Sequence, residues 1–411
     1  MSLSRRRVLL ALLIIGAILN YADRQIIAIL KPLIETDFHW TDADYGHLAS
    51  AFQLASAMGL LFAGWFVDRV GIKWANPIAV GAWSGFAMAQ ALAITFFQFG
   101  LLRIALGAAE ALGTPVVVKT IAILFPPKER SLAFGGMNAA STAGAIVTPL
   151  LVPAMAVVLG WRIAFFIVGA TGIVWVAAWL LTTRPVTLDS RPEPRAVVAH
   201  GVWRLALADR RTWAIIGAKA LSDQVWWFLL FWAPDLLHRL YHLDLQQTSV
   251  PLALIYSCAA VGSIVGGLAS RRLLQLGLSL NAARKLTLLS CALLALPMAL
   301  IPSIHREWVT VGLLGLTLAA HQGFSVNLFA LIADVVPLER LATVTGIGAF
   351  SGNLGGMGIL AFTGWILTER GTYGPVFFFA SCSYLLALLW IQVFIPVLRT
   401  ARESATPLTQ A

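Results

Sequence analysis

Four charged residues in apolar surroundings set the chemical problem of this chain. Arg103 and Glu110 lie in the stretch L-R-I-A-L-G-A-A-E-A-L-G-T-P, Leu102 to Pro115, and Asp23 and Arg24 sit side by side in N-Y-A-D-R, Asn20 to Arg24. A charge near a bilayer centre costs roughly 2.5–3.5 kcal/mol on insertion scales, so each needs a partner or a wet cavity. A carboxyl in such a place can carry a proton, and a guanidinium can grip a carboxylate through two parallel N–H bonds. Seven residues make nearly two helical turns, so Arg103 and Glu110 point the same way with about 10 Å of rise between them. Each must therefore meet a group on another helix.

The elements that must position these groups are membrane spans. Of 411 residues, 59% are hydrophobic and 12% charged, where soluble domains run at about 45–50% and about 25%. The mean hydropathy of +0.82 agrees. Apolar runs of about 20 residues, the length that crosses a hydrocarbon core of about 30 Å, recur along the chain. The expectation is an all-α protein of twelve spans at 8–30, 45–66, 75–95, 98–121, 131–154, 161–182, 212–236, 249–270, 285–302, 308–332, 341–367 and 374–396. The first run follows Arg5, Arg6 and Arg7, contains Asn20, Asp23 and Arg24 and lacks a small-residue cleavage pattern. It reads as a span, not a signal peptide. Most Lys and Arg fall on the side of the two termini, which places both termini in the cytoplasm. The net charge of +10 is thus a topology signal and not a nucleic-acid one. Cys258, Cys291 and Cys382 lie in apolar runs and read as small buried hydrophobes.

One polar break, 183–211, carries Arg184, Arg191, Arg195, Arg204, Arg210 and Arg211 among three prolines. It reads as a cytoplasmic linker between a six-span bundle over 1–182 and a second over 212–411. The halves resemble each other. Pro127-Lys-Glu-Arg130 and Pro337-Leu-Glu-Arg340 occupy equivalent places, and each leads into a span with paired glycines, Gly135 and Gly136 or Gly346 and Gly348. Repeated halves with a site between them near the midplane are a transporter architecture.

After the second span the chain reads G-W-F-V-D-R-V-G-I-K, with Gly64, Asp68, Arg69, Gly71 and Lys73 at the spaced positions. This resembles the signature loop of the major facilitator superfamily, G-x-x-x-D-R-x-G-x-R/K. Gly64 would permit close helix contact, and Asp68 would accept from helix-terminal amides or a facing Arg. The resemblance covers essentially the whole chain. Asn20–Arg24 and Arg103–Glu110 are similar to the anion:cation symporter family. Ala51-Phe-Gln-Leu54, Val225-Trp-Trp-Phe228 and Ala320-His-Gln-Gly323 resemble its hexuronate transporters. That likeness implies a proton-coupled importer of a sugar-acid anion, a monomer working by alternating access, with no cofactor. Two departures bear on specificity: Ser56, where the family suggests a cavity-lining tyrosine, and Gln224, where it suggests proline.

Rise along the helices assigns depth. Asp23 lies about 22 Å along the first span and Arg103 about 8 Å from the outer face, the same level in a core of about 30 Å. They are the expected outer ion pair, with Glu110 about 18 Å down, near the midplane. Arg24 projects about 100° from Asp23 and is the expected free clamp for a substrate carboxylate, with Tyr21 on its face. Gln53, Asn138, Ser141 and Asn353 fall within about 10 Å of the midplane. They suit a polyol, or serve as interhelical glue. The resemblance adds His321 and Gln322 to the substrate set. Trp226 and Trp227 offer an apolar wall to a sugar ring or an interfacial anchor. Lys219 and Asp223, four apart, read as a self-neutralising pair, with Asp223 the alternative charge partner. Lys119 sits at the cytoplasmic end as an inner gate. Protons are assigned to Asp23 and Glu110. The G-x-x-x-G-P-x-x-G-G of exporters is missing from the fifth span, which reads G-A-I-V-T-P-L-L from Gly144. No His-rich metal cluster, phosphate loop or nucleophile motif supports an enzyme, and the linker and tail are too plain for a signalling domain. Rival substrates are an aldonate, an aldarate or a monocarboxylate.

Overall fold

The computed structural model describes residues 3–125, 127–184 and 202–398, so most of the expected linker lies outside the described residues. The first half of the chain supplies α1 (Leu3–Phe38), α2 (Asp42–Val70), α3 (Ile72–Gln90), α4 (Phe96–Glu110), α5 (Gly113–Leu124), α6 (Pro127–Leu159) and α7 (Trp161–Thr183). The second half supplies α8 (Val202–Ala208), α9 (Arg210–Tyr241), α10 (Ser249–Gln275), α11 (Leu280–Ala295), α12 (Glu307–Val335), α13 (Leu338–Arg370) and α14 (Gly374–Phe394). Among the described residues, eleven helical segments are long and apolar enough to cross a membrane. Helix α3, in the place of the expected third span, is not among them. It carries Lys73, Asn76, Ser84 and Gln90, and it buries Asn76 against Thr120 of α5 at 3.0 Å. A helix packed inside others can carry polar groups that lipid would penalise.

Local chemistry sets the helix starts. Thr41 and Asp44 form a reciprocal capping box on α2, Thr95 caps α4, Asp209 caps α9 and Ser279 caps α11. Two expected spans are interrupted. The fourth breaks at Ala111–Leu112 into α4 and α5, because Pro115 has no N–H to continue the ladder. The ninth passes at Leu296 into a 3-10 turn ending at Ser303, a stretch holding Pro297 and Pro302. Helix α1 instead runs on well past residue 30. Its later charges, Lys31 and Glu35, pair with each other at 2.5 Å one turn apart and do not end the helix.

The two halves meet closely along α2 and α13. A β-carbon on Gly46 would lie 2.9 Å from Gly364 Cα and from the Leu360 carbonyl oxygen, so only hydrogen fits at this crossing. Helix α1 also reaches α9, and α6 reaches α10.

Candidate functional site

Arg24 and Glu110 meet between α1 and the C-terminal end of α4. The Arg24 Nε and Nη2 groups donate to one carboxylate oxygen, Oε2, at 3.0 and 2.8 Å. The other oxygen, Oε1, has no hydrogen-bond partner among the described residues. Three aromatic rings surround the guanidinium, at 5.7 Å for Tyr21, 5.5 Å for Phe52 and 5.2 Å for Trp227. Tyr21 and Phe52 come from the first half and Trp227 from the second, so the clamp lies where the halves face each other. A cavity of about 320 Å³ in the first half opens beside it, lined by Asn20, Tyr21, Arg24, Glu110 and Ser141 among others.

The expected Asp23–Arg103 ion pair does not form. Arg103 is fully buried and donates to two main-chain carbonyls of α1, that of Asp23 at 3.2 Å and that of Arg24 at 2.7 Å. Its guanidinium lies 4.5 Å from the Phe52 ring centroid. A helical carbonyl keeps a second lone pair after its ladder bond, which makes this bonding possible. Neither Asp23 carboxylate oxygen has a hydrogen-bond partner among the described residues, although the residue is 1% exposed. Arg24 is likewise not the free guanidinium expected, because Glu110 holds it. Glycine at 107 lets α2 and α4 approach closely enough for this arrangement: a β-carbon there would sit 3.1 Å from Ser56 Oγ. Ser56 faces α4 and donates to the Gly107 carbonyl at 3.1 Å, and a tyrosine does not fit that crossing.

The remaining expected residues divide. Tyr21 and Ser141 line the cavity, with the Ser141 hydroxyl on its own helix at the Met137 carbonyl. Gln53 is fully buried, both its side-chain polar atoms lack partners among the described residues, and a β-carbon on Gly356 would come within 3.0 Å of its Nε2. Asn353 donates to the Ala349 carbonyl of its own helix. The side chain of Asn138 lies outside the described residues. Trp226 is turned away from the clamp and stacks on His321 at 5.5 Å, and His321 Nδ1 lies 2.9 Å from the Tyr384 hydroxyl. These three form a packed unit inside the second half, with Gln322 half-buried beside them. The tryptophan facing the clamp is Trp227, because neighbouring residues on a helix project about 100° apart.

Lys219 and Asp223 pair at 2.6 Å, as their spacing demands. Gln224 ties α9 to α14 through Ser383 at 3.0 Å, a contact proline cannot make. In the signature loop Asp68 accepts from Lys119 at 2.7 Å, and Arg69 and Lys73 lie around it in sequence. Gly71 has φ +76°, a conformation that favours glycine. Gly64 differs from expectation: a β-carbon there would meet nothing within 4 Å, so it mediates no close helix contact.

A second group of charges was not singled out from the sequence. Lys31 lies 2.5 Å from Glu35, 2.9 Å from Asp42 and 2.6 Å from Asp235. Arg239 reaches Asp235 at 2.7 Å and also contacts Asp42, and the Tyr373 hydroxyl donates to Asp235 at 2.5 Å. The spacings Lys31–Glu35 and Asp235–Arg239, four apart on one helix, were the readable signal. That the two pairs belong together is visible only in three dimensions.

Comparison with known proteins gives these arrangements a context. The chain is 26% identical to the hexuronate transporter of Escherichia coli strain K12, covering 96% of each chain. It is 26% identical to the probable L-galactonate transporter of the same strain, over 90% of this chain and 85% of that one. To the D-galactonate transporter of Escherichia coli O6:H1 it is 25% identical over 94% of each. A bacterial homolog to the human lysosomal transporter Spinster, in an inward-facing and unoccupied conformation, superposes with a TM-score of 0.74 at 20% identity, covering 96% of each chain. The D-xylose-proton symporter gives 0.76 at 15% identity, covering 96% of this chain and 98% of that one. The likeness to these structures concerns the fold. The Major Facilitator Superfamily profile matches residues 13–359, which include the signature loop, the Arg24–Glu110 clamp and the greater part of both halves. This multi-pass protein of the bacterial inner-membrane type is a transporter and not an enzyme, and it belongs to the major facilitator superfamily.

Proposed function

We propose that the protein imports a sugar-acid anion, a hexuronate first among them, together with protons by alternating access. In this reading α3 completes twelve spans, both termini are cytoplasmic, and residues 1–182 and 212–411 act as two bundles that rock about the clamp. The observation that carries the proposal is the double contact of Arg24 with one oxygen of Glu110. A guanidinium held this way has a fork shaped for a carboxylate, and a substrate carboxylate competes with Glu110 for it. Protonation of Glu110 removes the competing charge, so proton uptake and anion binding favour each other through one side chain. Asp23 is the second proton carrier, since a proton there breaks no described contact. Tyr21 and Trp227 flank the Arg24 guanidinium, and Gln53 brings an unpartnered amide for hydroxyl groups.

The names of the relatives support the substrate class and leave aldonates as the second reading, since of the three relatives above one is named a D-galactonate transporter and one a probable L-galactonate transporter. The test is uptake of labelled galacturonate, galactonate and galactarate, each separately, into proteoliposomes with and without an inward pH gradient, with the other two unlabelled as competitors. Gradient-dependent accumulation blocked most strongly by galacturonate is expected. Accumulation of galactonate alone would move the assignment to aldonates, and no gradient dependence with any of the three would end the proton-coupled reading.

A further inference from the structure

We infer that a groove on the lipid-facing side of the second half, floored by α9 and walled by α13 and α14, holds one acyl chain of a phospholipid. Helices α13 and α14 both pack along α9 but scarcely on each other, so a strip of α9 lies uncovered between them. The space left is about 410 Å³. Ala220, Leu221 and Gln224 form its floor, Gly355, Gly358 and Phe362 one wall, and Phe379 the other. Glycine shapes the groove in two ways. A β-carbon on Gly355 would collide with the Ala220 carbonyl, so only hydrogen lets α13 come down onto α9. A β-carbon on Gly358 would meet nothing within 4 Å, so the side chain absent there leaves room beside the helix.

The chemistry of the lining selects the occupant. No lining residue is charged, and Gln224 is the one polar side chain among them. Its Nε2 group donates to the Leu221 carbonyl at 3.1 Å and to the Ser383 hydroxyl at 3.0 Å, which uses both amide hydrogens. The groove thus offers a ligand no side-chain donor, and a sugar acid would lie in it desolvated and unpaired. Phe378 and Trp365 at the rim are exposed, so the groove is continuous with the surface that meets lipid. In the orientation proposed above, Phe379 lies about 8 Å from the outer end of α14 and Gly355 about 22 Å from the outer end of α13. What a bilayer supplies over that depth is the hydrocarbon of its outer leaflet. An acyl chain there gives the groove walls the dispersion contacts that an unfilled space forfeits. It also backs the turn of α13 that meets the first half, where a β-carbon on Gly356 would come within 3.0 Å of Gln53 Nε2.

The test is photolabelling of the full chain in proteoliposomes that contain phosphatidylethanolamine with a diazirine midway along one acyl chain, the adducts being mapped by peptide mass spectrometry. Adducts are expected on residues 220–224 of α9, and also on Val261, Ile264 and Val265 of α10, which are exposed toward lipid whatever the groove holds. Gly358→Leu places a side chain in the groove and raises helix propensity. It is expected to lower the 220–224 adducts about tenfold and leave those on α10 unchanged. Leu221→Phe fills the groove from its floor and serves where Gly358→Leu does not fold, with a fall of about threefold expected. Absence of 220–224 adducts in the wild type, or wild-type adduct levels in folded Gly358→Leu or in Leu221→Phe, would overturn the inference. A second copy of the chain seated in the groove would exclude the probe and give the first of these results. No transport substrate enters these measurements, so their outcome is independent of the sugar-acid assignment.

Discussion

The clamp and the charge cluster around Lys31 are both buried groups of opposite charges, yet they are wired differently. At the clamp, one Glu110 oxygen accepts from Arg24, the other has no hydrogen-bond partner among the described residues, and neither Asp23 carboxylate oxygen has one. In the cluster, Lys31 has three carboxylates and Asp235 accepts from Lys31, Arg239 and Tyr373. A sparsely bonded pair can give up its partner to a ligand at the cost of the two bonds that join it. A densely bonded group resists ligand exchange but tolerates the loss of any one contact. Spare bonding capacity thus marks the place for ligand exchange, and redundant bonding marks a place that resists it.

The strongest way to break this contrast is to fix the clamp in its neutral state. Glu110→Gln is expected to abolish accumulation driven by a pH gradient while counterflow of galacturonate persists, since exchange needs no net proton movement. Both are measured on one purified variant in liposomes. Persisting accumulation removes Glu110 from coupling, and loss of both activities makes it structural.

Arg24→Lys keeps the charge and loses the fork. Charge-assisted bonds to such a group are worth about 1.5–3 kcal/mol, so apparent affinity should fall by roughly 10–100-fold. A saturation curve of uptake unchanged from wild type would leave the clamp without its ligand.

The third comparison lies within the clamp and concerns stability. Arg103→Gln removes two charged bonds to the α1 main chain and should cost about 2–4 kcal/mol in thermal or denaturant unfolding in detergent. Asp23→Asn, which breaks no described side-chain contact, should stay within about 1 kcal/mol of wild type. Equal losses would restore the ion pair that depth alone suggested.

The smallest effect belongs to the rim. Asp37 and Arg162 pair at 2.8 Å with side chains 46% and 42% exposed. Asp37→Asn should change stability by no more than about 1 kcal/mol and leave uptake intact. A larger loss would mean that the bond from Trp161 Nε1 to Asp37, at 2.8 Å, orders the aromatic cluster of Phe38, Trp40, Phe99 and Trp161.

By itself the sequence determined what depends on composition and on neighbours along one helix. Apolar runs specified a membrane protein because a hydrocarbon core admits few alternatives. The spaced glycine, aspartate and basic residues from Gly64 to Lys73 carried the superfamily, and Lys219–Asp223 paired because four residues bring side chains onto one face. Only the tertiary structure decided which cation meets which acid. Rise gives depth, but adjacent residues differ by about 1.5 Å in depth and by about 100° in direction, so depth cannot choose between Asp23 and Arg24 or between Trp226 and Trp227. Direction is set by how helices pack, through contacts such as Gly107 against Phe52 and Ser56. Helix ends misled for the same reason. Lys31 looked like the edge of the membrane, yet α1 continues to Phe38 because carboxylates from three other places in the chain, Asp42 and Asp235 across the fold and Glu35 one turn on, compensate its charge where no lipid reaches. Arg24 consequently lies near the middle of its helix, within reach of Glu110.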